Sequence, residues 1–264
     1  PYVIVVDLPR ARLYVLANQK GRLTLVREHY AAMGRNGAGK HSKGDLRTPV
    51  GIYTVTGFTS DEQLPELYGA GAFPLTYPNA WDRHNGRDGS GIWLHGIDRN
   101  LVSRSPRSSE GCVTMGNDDL IALKPFLVPG ETPVILADSV QWLPPAQSSA
   151  VRDQLLANIE DWRAKWSAID TEGYLAYYAD NFVSDNMNKA AFSAYKQRVN
   201  ASKKKIDVQL RDLDVLRYPG EQGLVMVQFT QEYKSDNYAA VSFKQQFWRE
   251  QPGGGWKIEL EESR

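Results

Sequence analysis

Cysteine is almost absent from this sequence: one residue, Cys112, in a chain of 264. An internal disulfide is therefore excluded, and composition alone does not fix the redox compartment. Long apolar runs are missing too. None approaches the ~20 residues that cross a bilayer, so no transmembrane segment is expected. A surplus of one charge is also lacking, because Lys plus Arg and Asp plus Glu each number 31. No global field then points to nucleic acid or to an acidic surface. Metal-type spacings such as C-x-x-C or H-E-x-x-H do not occur among the single Cys and four His, so no metal is expected. Internal repeats and low-complexity tracts are absent as well. What remains is a soluble globular chain.

The residues present can build a substantial core, with 42% hydrophobic and a length that suggests roughly two domains. The chain opens at Pro1 and runs directly into Tyr2-Val3-Ile4-Val5-Val6. An export signal is accordingly expected to have been removed or never present. Residues 1 to about 142 read as β-rich. Tyr2 to Val6, Arg12 to Leu16, Leu23 to Ala32, Val50 to Phe58 and Pro133 to Leu136 are strand candidates. A helix is expected to start at Asn117, with Asp118 and Asp119 in its first turn. The segment 143–150, Leu-Pro-Pro-Ala-Gln-Ser-Ser-Ala, reads as a linker. From 151 the period changes. Val151, Leu155, Ile159, Trp162, Trp166 and Ile169 form one helical stripe. A second helical piece holds Tyr174, Leu175, Tyr177 and Tyr178, and a third spans Lys189 to Ser202. Strands follow near Val208–Leu216, Leu224–Tyr233, Tyr238–Trp248 and Trp256–Leu260. The fold class is α+β: a β-rich domain over 1–142, then a smaller α+β unit over 151–264 with helices preceding an antiparallel sheet.

Cys112 lies in Ser108-Ser109-Glu110-Gly111-Cys112-Val113, a polar, turn-forming context that keeps a thiol open. A small buried hydrophobe is the plainer reading of a free cysteine. Gly111 lets the backbone approach closely, so the Gly111 and Cys112 amides are candidates for holding an oxyanion. The run Gly91-Ile92-Trp93-Leu94 would project His95 from a rigid strand, and a histidine there is the partner that turns a thiol into a nucleophile. A satisfied histidine at a strand end is the alternative. Arg99, Arg104 and Arg107 lie between the two, either as a solvated loop or as carboxylate-reading guanidinium groups. Gly34-Arg35-Asn36-Gly37-Ala38-Gly39-Lys40 matches the core of a phosphate-binding loop. His41 nevertheless replaces the expected Ser or Thr, and Ser42-Lys43-Gly44-Asp45 with Pro49 is a poor helix, which leaves nucleotide binding as a remote alternative. The aromatic residues Trp162, Trp166, Tyr174, Tyr177, Phe182, Phe192 and Tyr195 follow helical spacing and are expected in a core.

His95-Gly96, a loop, and then Ser109-x-Gly111-Cys112 resembles the active-site motif of the L,D-transpeptidase (YkuD) family. Thr48-Pro49-Val50-Gly51-Ile52-Tyr53 is similar to a second hallmark of that family. Ala72-Phe73-Pro74-Leu75-Thr76-Tyr77-Pro78-Asn79, followed by Gly91-Ile92-Trp93-Leu94-His95-Gly96, resembles its Gram-negative branch. Residues from about 150 resemble a nuclear-transport-factor-2-like (NTF2-like) domain, a cone of helices on a curved sheet. Two positions depart from the family pattern: Glu110 stands where a second histidine is usual, and Thr114 where arginine is common. Both alter the groups that orient substrate.

The resemblance implies cysteine-dependent acyl transfer on peptidoglycan stem peptides, at the bond between a diamino acid and the terminal D-Ala. Cys112 would be the nucleophile, its pKa lowered by a paired imidazolium. His95 would be the base, with the Gly96 carbonyl fixing its tautomer, and Gly111 and Cys112 would supply oxyanion amides. Ser109, Glu110, Arg104, Arg107, Tyr77, Trp93 and Thr114 would contact substrate. Water as acceptor gives an L,D-carboxypeptidase, and Glu110 beside the site leans the expectation that way. An amine acceptor gives an L,D-transpeptidase that cross-links the wall or attaches an outer-membrane lipoprotein, and the reverse reaction releases one. A catalytically inactive wall-binding scaffold is the alternative from another class. The expected location is the periplasm. The second domain is expected to present a concave aromatic pocket that positions substrate or joins two copies as a homodimer.

Overall fold

The computed structural model describes residues 1–19, 21–184 and 186–263, apart from the side chains of residues 145–148. The chain forms two compact units, Pro1–Trp142 and Leu143–Arg264.

The first unit is built on a five-stranded sheet in the spatial order Arg22–Tyr30, Arg12–Gln19, Tyr2–Asp7, Val134–Ala137, Gly51–Tyr53. Tyr2–Asp7 pairs parallel with Val134–Ala137, while the other pairs are antiparallel. The apolar run at 3–6 is explained by its central place, since both faces are covered. Ile4 and Val6 enter the main core with Leu13, Val15, Leu94 and Val113. Val3 and Val5 pack on the other face with Leu16. A second sheet orders Val113–Thr114, Trp93–His95, Gly71–Pro74 and Thr59–Ser60. A two-stranded parallel ribbon joins Met33–Gly34 to Arg107–Ser109. The strand expected over 50–58 is short, Gly51–Tyr53, with an isolated bridge from Val55 to Leu75.

The second unit is a cone of three helices, Pro145–Ser167, Thr171–Leu175 and Lys189–Ala201, with a six-stranded sheet. Its longest helix starts inside the segment expected as linker, and the side chains at 145–148 lie outside the described residues. Leu155, Ile159, Trp162 and Trp166 form its buried stripe, against Val227, Phe229 and Trp248 of the sheet. Asn188 and Asp170 cap the two shorter helices, accepting from the amides of Ala191 and Gly173. Tyr178, expected in a helix, instead opens the strand Tyr178–Ser184, which pairs parallel with Trp256–Ser263. The aromatic cluster Tyr174 to Tyr178 suits either period, and the parallel partner decides between them.

Candidate active site

The strand Trp93–His95 carries the histidine. Its parallel partner, Val113–Thr114, follows directly on Cys112, in the register Val113 to Leu94 and Thr114 to His95. Leu94 and Val113 point into the core and are fully buried. Alternation then places Trp93, His95 and Cys112 on the opposite face. His95 Nδ1 lies 2.7 Å from the Gly96 carbonyl oxygen. A carbonyl only accepts, so Nδ1 carries the proton and Nε2 holds the free lone pair. The tautomer expected of a general base is thus in place.

The protonation states differ from the imidazolium–thiolate pair expected from sequence. Burial lowers the His95 pKa to about 4; the Gly96 hydrogen bond opposes this and the Arg104 charge adds to it. Burial also raises the half-buried Cys112 thiol, opposed by the Trp93 amide, reinforced by Glu110, and opposed again by Lys40 and Arg104. Each charged form has lost hydration, so both groups rest neutral at pH 7. The thiol donates to the Gly91 carbonyl oxygen at 3.3 Å. Among the described residues no hydrogen bond joins it to His95.

The turn before Cys112 is held by one near residue, Ser109, and one distant residue, Thr48. Ser109 Oγ donates to the Cys112 carbonyl oxygen at 2.6 Å and accepts from the Gly111 amide at 3.2 Å. That second bond corrects an expectation: the Gly111 N–H is engaged by Ser109, which leaves the Cys112 N–H as the available member of the pair. Ser109 itself is buried and shapes the turn rather than meeting substrate. Thr48 Oγ1 donates to the Gly111 carbonyl and accepts from the Gly34 amide, both at 2.9 Å. The Thr-Pro hallmark therefore clamps the cysteine turn. Gly111 has φ +129°, and a Cβ there would come 2.8 Å from the Arg47 carbonyl oxygen, so no larger residue fits without movement.

Other expected contacts divide. Trp93 is half-buried beside the site, and Arg104, half-buried, sends its positive field to both His95 and Cys112. Arg107 is exposed at the start of the ribbon strand that ends at Ser109. Glu110 is exposed and paired with Arg35 at 2.6 Å, so it is not a free base for water. Two assignments are corrected. Tyr77 is buried in the main core with its hydroxyl donating to the Asp88 carbonyl oxygen at 2.8 Å. Thr114 is 1% exposed, too deep to touch substrate. Arg99 pairs with Asp61.

Two residues were given no part in the site by the sequence. Tyr68 lays its ring 4.8 Å from that of His95 and 5.1 Å from that of Trp93. Asn117 begins a helix, Asn117–Ala122, but its side chain serves the site instead of capping. Its Oδ1 accepts from the amides of Ala70 and Ile97, and its Nδ2 donates to the Ile97 carbonyl. A Cβ at Gly96 would lie 2.2 Å from that Oδ1, which explains glycine after the histidine. Neither residue had a local signal for this role, since each acts on segments 20 or more positions away.

The glycine-rich segment is a structural loop. Lys40 is buried, with its ammonium on Asp45 Oδ1 at 2.7 Å and the Ser42 carbonyl at 3.0 Å, and no helix follows it. It has no ammonium to offer a phosphate. Among the described residues no group of three or more His, Cys, Asp or Glu is placed to hold a metal ion, and no helix is long and apolar enough to cross a membrane.

A cysteine directly before one strand and a tautomer-locked histidine on its parallel partner, behind a Thr-Pro clamp, set the frame of the site. Residues 1–136, just over half of the chain, match the L,D-transpeptidase catalytic domain, YkuD, and the chain belongs to that family. Residues 154–262 match the Cds6 C-terminal NTF2-like domain. Among solved structures, Bd1075 of Bdellovibrio bacteriovorus is similar at 29% identity and a TM-score of 0.85, covering 99% of this chain and 91% of that one. Pgp2 of Campylobacter jejuni, described as a helical cell shape determining protein, shares the fold at 24% identity and a TM-score of 0.83, covering 98% of this chain and 91% of that one. No curated protein sequence matches the chain.

Proposed function

We propose that the protein is an extracytoplasmic, periplasmic L,D-transpeptidase-family enzyme that cleaves peptidoglycan stem peptides between the diamino acid and the terminal D-Ala. The observation that carries this is the His95 Nδ1–Gly96 bond, which leaves Nε2 as the base on the face shared with Cys112. On substrate binding the thiol exchanges the Gly91 carbonyl for His95 Nε2 and attacks the scissile carbonyl carbon. The proton passes to His95 and then to the leaving D-Ala amine, giving a thioester at Cys112. Base assistance of this kind contributes ~10² to 10⁴-fold, and one oxyanion donor about 3 kcal/mol. Arg104 is the guanidinium suited to the terminal carboxylate, because its field already reaches both reacting groups. Water as acceptor makes the protein an L,D-carboxypeptidase; an amine acceptor makes it a transpeptidase for cross-links or for an outer-membrane lipoprotein. With Glu110 held by Arg35, any water is activated by the His95 that the departing amine has just deprotonated.

A catalytically silent wall-binding scaffold is the alternative, and one observation favours it: the thiol rests on the Gly91 carbonyl rather than on His95. Digesting purified cell wall with the protein, beside Cys112→Ala, separates the two. Muropeptides shortened by one D-Ala, seen by mass spectrometry only with the unsubstituted protein, are expected. Identical muropeptide profiles from both proteins would leave the scaffold.

The second unit supports a part in wall engagement. It holds a pocket of about 600 Å³ lined by Trp166, Tyr195, Tyr233 and Tyr238 together with Lys196 and Lys244. Tyr195, expected in a core, is exposed at this pocket. Burial lowers the Lys196 pKa to about 8, and its ammonium lies 4.3 Å over the Trp166 ring.

A further inference from the structure

Tyr68 occupies a place that neither the motif nor the helix pattern explains. It ends a short 3-10 turn, Glu66–Tyr68, and Gly69 after it adopts φ +58°. A Cβ on Gly69 would lie 2.0 Å from Asn117 Oδ1 and 2.2 Å from the Ile97 carbonyl oxygen. Asn117 ties Ala70 to Ile97, and the Gly96 amide donates to the Gly71 carbonyl at 3.2 Å. The segment bearing Tyr68 is thus latched to the segment bearing His95. The ring spans Trp93 and His95, tilted 41° to the first and 63° to the second. Those two side chains share the face of Cys112, so the half-buried ring packs on the face that carries the thiol, near enough for the charges of Cys112 and Glu110 to act on its phenol. Among the described residues its hydroxyl has no hydrogen-bond partner. Burial, followed by the negative fields of Cys112 and Glu110, raises its pKa, so it keeps its proton and has an O–H to donate at pH 7.

The oxyanion site, meanwhile, is one donor short. The Gly111 amide is committed to Ser109 Oγ, and only the Cys112 amide remains from the expected pair. We infer that Tyr68 is a further catalytic residue of this site, its phenol O–H supplying the second donor to the oxyanion formed when Cys112 attacks a carbonyl. This rests on the acyl-transfer function proposed above. In the step, the Cys112 Sγ–C bond forms, the carbonyl π pair moves to oxygen, and the thiol proton goes to His95 Nε2. Tyr68 and the Cys112 N–H donate to the new O⁻ and keep their protons. The pair returns when the C–N bond breaks and His95 protonates the amine.

The distinguishing test compares two reactions of the same thiol in the full chain, wild type beside Tyr68→Phe, both followed by intact-protein mass spectrometry. Acylation by p-nitrophenyl acetate passes through an oxyanion, whereas alkylation by iodoacetamide does not. Phenylalanine keeps the ring packing on Trp93 and His95 and removes only the hydroxyl. Acylation should fall about 10²- to 10³-fold, the range seen when one such donor is lost, with alkylation within about twofold. Equal acylation rates would overturn the assignment, and so would a matched loss of both rates, which would make Tyr68 a positioning residue for His95. Stem-peptide digestion tests the proposed substrate separately. An acylation defect in a protein that leaves wall untouched would sink the peptidoglycan function while keeping the Tyr68 donor.

Discussion

Position 95 shows how far a single residue can be read from its neighbours. Its candidacy as a base was legible, because His-Gly follows a strand-like run and the cysteine turn is contiguous. Its protonation was not, because desolvation comes from side chains that sequence does not place beside it. The folded imidazole titrates at about 4, against about 6.5 in an unfolded chain. Between those values the unfolded state binds more protons. The contribution of neutral His95 to stability is therefore complete above about 6.5 and is lost as pH falls toward 4. Denaturant titrations at pH 7 and pH 4.5 should show this loss, and His95→Gln should remove part of the difference. For the same reason kcat/KM should hold from pH 7 to about 5 and decline only near 4. A pH–rate profile with an acid limb at 6.5 would mean that His95 is hydrated when it works.

The elements were legible in proportion to their length. Strands of six to twelve residues such as Tyr2–Asp7 and Leu224–Ser235 display their apolar period, as does the helical stripe from Leu155 to Trp166. Val113–Thr114 and Thr59–Ser60 contain two residues each, too few for any period, and they exist because a neighbour pairs with them. The site lies at short elements such as Val113–Thr114, so its frame escaped sequence reasoning while its cysteine and histidine did not. Asn117 is the element-scale fastener. Asn117→Ala frees the amides of Ala70 and Ile97, and an unpaired buried donor costs about 1–3 kcal/mol. Thermal unfolding should shift down accordingly, and iodoacetamide labelling of Cys112 should change little, since the cysteine turn is fastened separately through Thr48 and Ser109. An unchanged melting temperature would mean that water replaces the Asn117 carbonyl.

Across the whole molecule, each unit has its own buried core and its own sheets. A chain ended at Trp142 should therefore fold and retain Cys112 alkylation at the full-length rate. Sedimentation with polymeric wall should weaken, or a dimer should dissociate, if the aromatic and lysine pocket of the second unit engages the wall or a second copy. Unchanged sedimentation together with unchanged solution mass would remove that role. The sequence by itself determined the two-part α+β plan, the family, and the pairing of Cys112 with His95 and the Thr-Pro hallmark as candidates, because periodicity and contiguous motifs are local properties of the chain. Only the tertiary structure decided that the Gly111 amide is taken by Ser109, that thiol and imidazole rest uncharged, that Tyr77 and Thr114 are buried, and that Tyr68 packs on Trp93 and His95. Hydrogen-bond partners and the loss of water are set by residues brought together from distant positions, and a linear reading does not contain that proximity.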